Sequence, residues 1–186
     1  MTTGFRARHG VVSATFVAEE AHILRGLVGE LVELIRDEAP PPVTPPEDTL
    51  AALVGHLGST EPPDDDVLAR LFPNAYQDDD DAAGEFRRFT EHGLRDGKVK
   101  NAETVLESLG DPAFADQVTV SVNPDEAAAW LRTLTDLRLA LGTRLGVEQN
   151  DEDRWESLPE DDRQRQVYGV YIWLGWLQES LVSAIH

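Results

Sequence analysis

At 186 residues the chain is long enough to bury a hydrophobic core without a covalent staple, and we expect a single domain over residues 1–186. Because it contains no cysteine, disulfides, thiolate zinc sites and thiol redox chemistry are excluded in this chain. The formal charge of -19 repels phosphate backbones at long range, so binding to DNA or RNA would require a local basic surface.

The chain opens without a charged segment followed by an apolar run, which argues against a secretion signal. Its most apolar stretch, residues 167–177, is much shorter than the roughly 20 residues needed to cross a bilayer. We therefore expect a cytoplasmic protein that makes no membrane contact.

The first elements are predicted from the spacing of apolar residues, which changes from alternation to helical spacing at Val17. Residues 5–8 and 12–16 alternate between apolar and polar side chains, and His9 and Gly10 between them can supply the positive φ values of a tight turn. This pattern predicts a β-hairpin. From Val17 the apolar residues recur at helical spacing to about Asp37, which predicts an amphipathic helix.

The next part of the chain is irregular. Residues 39–66 hold seven of the eleven prolines and are predicted to be a surface segment, interrupted by a short helix at residues 48–57. A second short helix is predicted at residues 64–72. The acidic run at residues 77–81 is predicted to be a solvated loop, because it lacks the spaced oxygen ligands and central glycine of a calcium-binding loop.

Residues 82–109 have a helical pattern that Gly93 and Gly97 could break or bend, so one helix and two helices are equally compatible with it. Residues 117–122 alternate without exception and predict a half-buried strand that pairs with the hairpin. The residues that follow, from Asn123, combine a capping side chain, a proline and a glutamate three positions on, which is typical of a helix start.

Two long apolar helices are predicted at residues 123–147 and 159–185. In the first, Arg144 projects onto the apolar stripe beside Leu137, where a guanidinium needs an acidic or carbonyl partner. We favour a structural salt bridge there, with an anion-binding arginine as the alternative.

The last helix is apolar on nearly all sides, as in a helix that is central in a bundle or lies at a protein interface. Trp173 and Trp176 lie on one side of it. The other side is predicted to carry Val167, Val170, Tyr171, Leu174, Leu181 and Ile185. Gln178 falls on this second stripe, and we favour a hydrogen-bonded core glutamine over a catalytic or ligand-binding one.

No pattern in the sequence predicts catalysis, a cofactor or a metal, since the five histidines show no helical pairing and the serines lack a nucleophile-elbow context. Positive charge gathers only around Arg87 and Arg88, where residues 85–100 carry a net charge of +2. Together with Arg6 and Arg8 in the hairpin, this segment could form a DNA-reading surface of the winged-helix kind. Ordinary solvated helix charges explain the same residues, and we favour that interpretation.

Several strings then stand out together: residues 71–76 (LFPNAY), 85–90 (EFRRFT), 130–131 (WL), 136–146 (DLRLALGTRLG) and 173–181 (WLGWLQESL). Through them nearly the whole chain resembles an actinobacterial family of proteins of unknown function, usually encoded beside the protease adaptor ClpS, that includes an oxidative-stress regulator. The resemblance implies no enzyme. It implies a partnership with the transcription machinery, such as a sigma factor, but the cysteine pairs on which redox sensing rests in such members are missing here.

We therefore expect an α+β protein, predominantly helical, with a small antiparallel sheet made by the hairpin and the strand at residues 117–122. We expect a non-enzymatic regulator that works by protein contacts, as a homodimer or with a sigma factor. The candidate interaction residues are Arg87, Arg88, Arg144, Trp173, Trp176 and Gln178. The alternatives are a DNA-binding regulator that uses the hairpin and residues 87–100, and an enzyme or ligand-binding protein with a pocket lined by Arg144 and Gln178.

Overall fold

A computed structural model describes residues 3–37, 63–75, 79–111 and 116–186. In chain order its elements are β1 (Thr3–Arg8), β2 (Val11–Val17), α1 (Ala18–Asp37), α2 (Asp66–Leu71), α3 (Asp80–Leu109), β3 (Gln117–Val122), α4 (Pro124–Leu145), α5 (Glu152–Glu156) and α6 (Arg163–Ile185). The fold is α+β and predominantly helical, as predicted. The helix predicted at residues 48–57, and nearly all of the proline-rich segment, lie outside the described residues.

The three strands form one antiparallel sheet in the order β1-β2-β3. His9 and Gly10 join β1 to β2 with φ values of 52° and 81°, the pair of positive angles that a two-residue hairpin turn requires. β3 pairs with β2 from Val12↔Val122 to Val17↔Gln117. Both the hairpin and its pairing with the later strand are therefore confirmed.

One face of the sheet packs against the helices and forms the centre of the core. Phe16 of β2 is fully buried and stacks on the indole of Trp130 in α4, with ring centroids 6.1 Å apart and planes 5° apart. Phe5 of β1 meets the same indole edge-on at 5.2 Å. The predicted stripe of α1 lies against this core with Leu24 and Val28 fully buried, so the amphipathic helix is confirmed.

α3 is a single continuous helix through Gly93 and Gly97, neither of which adopts a positive φ. Its start corrects the loop prediction for residues 79–81, while residues 77 and 78 of the acidic run lie outside the described residues. Asp79 caps the helix by accepting a hydrogen bond from the amide of Ala82, and the two aspartates after it lie in the first turn. Carboxylates are favourable there because the amino end of a helix carries partial positive charge.

The carboxyl end of α3 carries no basic residue of its own. Arg25 of α1 supplies the missing cation, donating to the carbonyl of Leu106 at 3.1 Å and to that of Gly110. A guanidinium bonded to the last carbonyls of a helix satisfies acceptors that have no intrahelical partner. This contact fastens α1 to the end of the longest helix.

The start of α4 is confirmed. Asn123 accepts from the amides of Asp125 and Glu126, and Glu126 in turn accepts from the amide of Asn123. The start of α6 was predicted too early: the helix begins at Arg163 rather than at residue 159, because Asp162 is the capping residue. The short helix α5 that precedes it was not predicted, since five residues are too few to show a period.

None of the helices in the described ranges is both long enough and apolar enough to span a bilayer.

Candidate functional site

Two basic residues of α3, Arg87 and Arg95, are engaged inside the protein. Arg95 is 4% exposed and donates from Nε to Glu91 Oε1 at 2.8 Å and from Nη1 to the carbonyl of Ile35 at 2.7 Å. Arg87 is 7% exposed, donates to Asn74 Oδ1 and lies with its Nε 3.5 Å from Glu91 Oε2. We call Arg87, Glu91 and Arg95 the α3 triad.

The α3 triad accounts for two arginines on the buried side of a helix, because Glu91 lies between them as a counter-charge. Residues 87, 91 and 95 are each four apart, so they lie on one side of α3, and that side is buried. Arg95 also lies over the ring of Phe72, with its Cζ 4.7 Å from the centroid. The charge of Arg87 is therefore partly offset by Glu91 and is turned inward; the side chain of Arg88 is not among those described.

A second internal ion pair involves Lys98, another basic residue of the predicted DNA-binding surface. Lys98 Nζ donates to Asp136 Oδ1 of α4 at 2.6 Å, and Asp136 is 5% exposed. Burial raises the pKa of Asp136 above its ordinary value, although the bond to Lys98 acts in the opposite direction. Of the basic residues on the predicted DNA-binding surface, Arg6, Arg8 and Lys100 remain exposed.

Asp136 and Asp65, the residue that caps α2, should change the stability of the protein in opposite directions when the pH falls. Burial raises the pKa of Asp65 too, but hydrogen bonds from Arg144 and from the amides of Leu68 and Val67 outweigh that effect and hold its pKa below 3.8. A raised carboxyl pKa means that the folded state binds the proton more tightly, so stability falls as the pH rises through that pKa. A lowered pKa gives stability that is lost as the pH falls.

We therefore expect the wild type to gain stability relative to Asp136→Asn as the pH falls from about 7 to about 4, the window above the ordinary value of 3.8. Relative to Asp65→Asn, the wild type should instead lose stability, and mainly below that value. Urea unfolding of the three proteins across this pH range measures both differences. Equal pH dependence of the two variants would contradict the assignment.

The structure corrects the expected position of Arg144. Its side chain is 57% exposed instead of lying in the core, because the fully buried residues of α4 end at Leu137 and Arg144 is in the last turn, past the partly buried residues 139–141. The expected acidic partner is present: Arg144 Nη2 lies 2.6 Å from Asp65 Oδ2. Asp65 also caps α2, so this surface ion pair joins the start of α2 to the end of α4.

Gln178 and Arg144 do not share a set of partners. Gln178 is half-buried between α4 and α6, where its Nε2 donates to Thr135 Oγ1 at 2.7 Å and its Oε1 accepts from Arg138 Nη1 at 2.8 Å. Both ends of the amide are thus bonded. The arginine beside it, Arg138, was not singled out from the sequence, although it lies on the flank of the α4 stripe at a spacing that faces α6.

The two tryptophans of α6 have different environments. Trp173 is half-buried and meets the ring of Phe16 edge-on at 6.5 Å, so it belongs to the core. Trp176 is 45% exposed and rests over β1, where a Cβ added to Gly4 would lie 3.1 Å from the indole Cη2. Gly4 thus leaves room for the indole. The predicted aromatic patch is divided between the inside and the outside of the protein.

The outward side of α6 carries further apolar residues. Ile172 is 50% exposed and Val182 is 38% exposed. With Trp176 they form a surface that we call the α6 outer face. Ile185, which was predicted to lie on the buried stripe, is 42% exposed, while Leu177, which was not named, is fully buried. The buried side of α6 is thus rotated from the predicted one.

An aromatic column links α5 to α6 and was missed by the sequence reasoning. Trp155 is 1% exposed and stacks on Tyr168 at 4.8 Å, and Tyr168 stacks on Tyr171 at 5.9 Å. Arg154 and Arg138 lie over its two ends, 4.5 Å from Trp155 and 5.2 Å from Tyr171. The sequence signal for α5 was weak: a tryptophan two positions after the acidic residues 151–153.

Within the described residues no three histidine, cysteine, aspartate or glutamate side chains are grouped in a way that could hold a metal ion.

The chain is similar to proteins that are named as regulators. It is 30% identical to proteins named oxidative stress regulator AosR from Mycobacterium tuberculosis and Mycobacterium bovis, over 92% of this chain and 81% of theirs. A relative from Mycobacterium leprae is 31% identical over 89% of this chain and 78% of its own. No solved structure matches the chain.

A family model described as a domain of unknown function, DUF2017, matches residues 2–185. The match covers every element of the fold described above, from the hairpin to α6. The chain therefore belongs to the DUF2017 family.

Proposed function

We propose that this chain is a non-enzymatic, cytoplasmic regulatory protein that acts through protein contacts, either with a second copy of itself or with a component of the transcription machinery such as a sigma factor. The regulator names of its mycobacterial relatives support the regulatory part of this proposal. Because the chain has no cysteine, its own response to oxidation would not use thiols.

The observation that carries the proposal is the α6 outer face. A tryptophan and an isoleucine that are each about half exposed, on adjacent turns of one helix, are typical of a surface that another protein covers. Tryptophan is also among the residues that contribute most to binding when a partner buries them. The rest of the chain is strongly acidic, and an acidic surface around an apolar patch favours a partner with basic residues at its rim.

Trp176→Glu should disrupt this contact. If Trp176 is a central interface residue, the substitution should cost at least about 2 kcal/mol of binding, or roughly thirtyfold in affinity. Light scattering of the purified wild type should show a species above the monomer mass of 20.6 kDa, or a stable complex when a purified sigma factor of the same organism is added. The variant should remain folded, because the indole is nearly half exposed, and should lose whichever species forms.

Phe89→Glu is the matched control. Phe89 is 67% exposed on α3, so the variant introduces the same charge on another helix and should bind like the wild type. Salt separates the two kinds of partner: screening weakens contact with a basic protein and strengthens contact between two copies that both carry -19. A wild type that is monomeric and also fails to bind any of the host's sigma factors would refute the proposal.

The DNA-binding alternative receives no support from the positions of Arg87 and Arg95, which are buried and bonded to Glu91. No particular observation favours it over protein contact.

A further inference from the structure

Arg138 is half-buried, and no carboxylate partner is described for it. Arg25 and Arg165 are also half-buried, but they donate to backbone carbonyls at helix ends or turns, whereas Arg138 donates to a side-chain amide. Arg87 and Arg95 share Glu91, and even the exposed Arg144 pairs with Asp65. The described contacts of the Arg138 guanidinium are a hydrogen bond to the neutral amide of Gln178 and the ring face of Tyr171. This is unexpected in a chain with 35 acidic and 16 basic residues, where carboxylates are abundant.

A glycine lies where a larger residue would crowd this guanidinium. It lies against Gly175 of α6, where an added Cβ would be 3.4 Å from both Cζ and Nε of Arg138. Gly142 of α4 similarly lies where a Cβ would be 3.4 Å from the Tyr171 ring. The Nε of Arg138 is fully enclosed and has no hydrogen-bond partner. A positive charge that is partly removed from water without an opposite charge destabilises the protein, and an anionic ligand at the guanidinium would offset that cost.

A cavity of about 430 Å³ opens at this guanidinium, a size suited to a small metabolite. It lies between the end of α4, the end of α2 and the start of α6, and we call it the Arg138 pocket. Its charged and aromatic lining residues are Arg138, Arg70, Tyr171 and Glu148. Arg70, unlike Arg138, is exposed, and no carboxylate partner is described for its guanidinium either.

The carbonyls at the end of α4 are not described as accepting hydrogen bonds from these two arginines. The carbonyls of Gly142 and Thr143 accept instead from the backbone amide of Gly146, and the amide of Val147 also donates to Gly142. The helix end is therefore satisfied by its own backbone, as in other helices that end at a left-handed glycine. The guanidinium groups remain available to something else.

We propose that the Arg138 pocket binds a small free anion that carries a carboxylate or phosphate group. Arginine is suited to both groups because its planar guanidinium can donate two parallel hydrogen bonds. Arg138 would hold the charged group, with Arg70 as a second donor at the mouth, while Glu148 is the opposing charge that limits affinity. This inference is independent of the protein contacts proposed above, since it uses none of the α6 outer face.

Isothermal titration calorimetry with inorganic phosphate and with citrate, each at an ionic strength held constant with sodium chloride, tests the proposal. Saturable binding of at least one of them by the wild type is expected. Arg138→Gln and Arg70→Ala should each weaken it about tenfold or more, since each removes a charge-assisted contact. Arg70 is exposed, so its variant tests the pocket even if Arg138→Gln disturbs the packing between α4 and α6.

Two further variants locate the site. Arg132→Gln, which removes an exposed arginine of the same helix outside this pocket, should bind like the wild type. Glu148→Gln should bind several times more tightly, because it removes the negative charge at the pocket. The proposal is overturned if the wild type binds neither phosphate nor citrate, if all variants bind equally, or if Glu148→Gln binds no better than the wild type.

Discussion

Glu91→Ala should lower the free energy of unfolding by about 3–5 kcal/mol, the cost typical of breaking a buried ion pair from one side. Glu91 is the only carboxylate described in contact with two guanidinium groups that are 7% and 4% exposed. Its removal leaves both charges inside the protein without a counter-charge. Urea unfolding at neutral pH measures the loss directly.

The control for this prediction lies on the same helix. His92 and Asp96 form an exposed contact of 3.4 Å with the same four-residue spacing, and both side chains are at least 70% exposed. Asp96→Ala should therefore cost less than about 1 kcal/mol, as exposed pairs generally do. If Glu91→Ala and Asp96→Ala had equal effects, the triad would not be a buried electrostatic element.

A combined replacement separates charge from packing. Arg87→Met, Glu91→Leu and Arg95→Met together remove all three charges and keep most of the side-chain volume. This variant should be more stable than Glu91→Ala alone, because an apolar substitute for a buried ion network is often neutral or stabilising. Part of the loss would remain, since Arg95 also donates to the carbonyl of Ile35 near the end of α1.

Trp130→Ala should be the most damaging single substitution in the core, at about 3–5 kcal/mol. The indole is fully buried, contacts the rings of Phe5 and Phe16, and donates from Nε1 to Ser108 Oγ at 2.9 Å. The variant would thus leave a cavity where both strands of the hairpin meet α4 and would remove the partner of Ser108. Thermal or urea unfolding gives the loss.

Trp176→Ala is the comparison for it. The same atoms are deleted from a side chain that is 45% exposed, so the expected loss is smaller, about 1–2 kcal/mol. Ser108→Ala isolates the hydrogen bond, which typically contributes about 1 kcal/mol. A similar loss for Trp130→Ala and Trp176→Ala would show that the core is not centred on Trp130.

The elements with a clear local signal were predicted from the sequence. The hairpin turn at His9 and Gly10, the stripe of α1 and the capping box at Asn123 each depend on residues within a few positions of one another. The continuity of α3 could not be predicted in this way. Its glycines weaken the helix locally. The contacts that stabilise it come from other parts of the chain: Arg25 and Ile35 belong to α1, and Asn74 belongs to the segment after α2.

The candidate residues show the same division. The acidic partner of Arg144 was predicted on physical grounds, because a cation at that position needed one, but its exposure depends on where the core ends along α4. Helical projection could not distinguish Trp173 from Trp176, since both lie on one side of α6. Trp173 is covered because it meets Phe16 of β2, whereas Trp176 lies over Gly4 of β1 and stays 45% exposed.

By itself the sequence determined the helical content, the small sheet, the lack of thiol chemistry and the acidic character, because each follows from composition or from short-range spacing. Only the tertiary structure decided which charges are neutralised. Arg87 and Arg138 are both arginines on helices with apolar stripes, yet one meets Glu91 and the other meets a glutamine and a cavity. The reason is that the residue type determines the sign of a side chain's charge. The opposite charge comes from residues distant in sequence that the packing brings within about 4 Å.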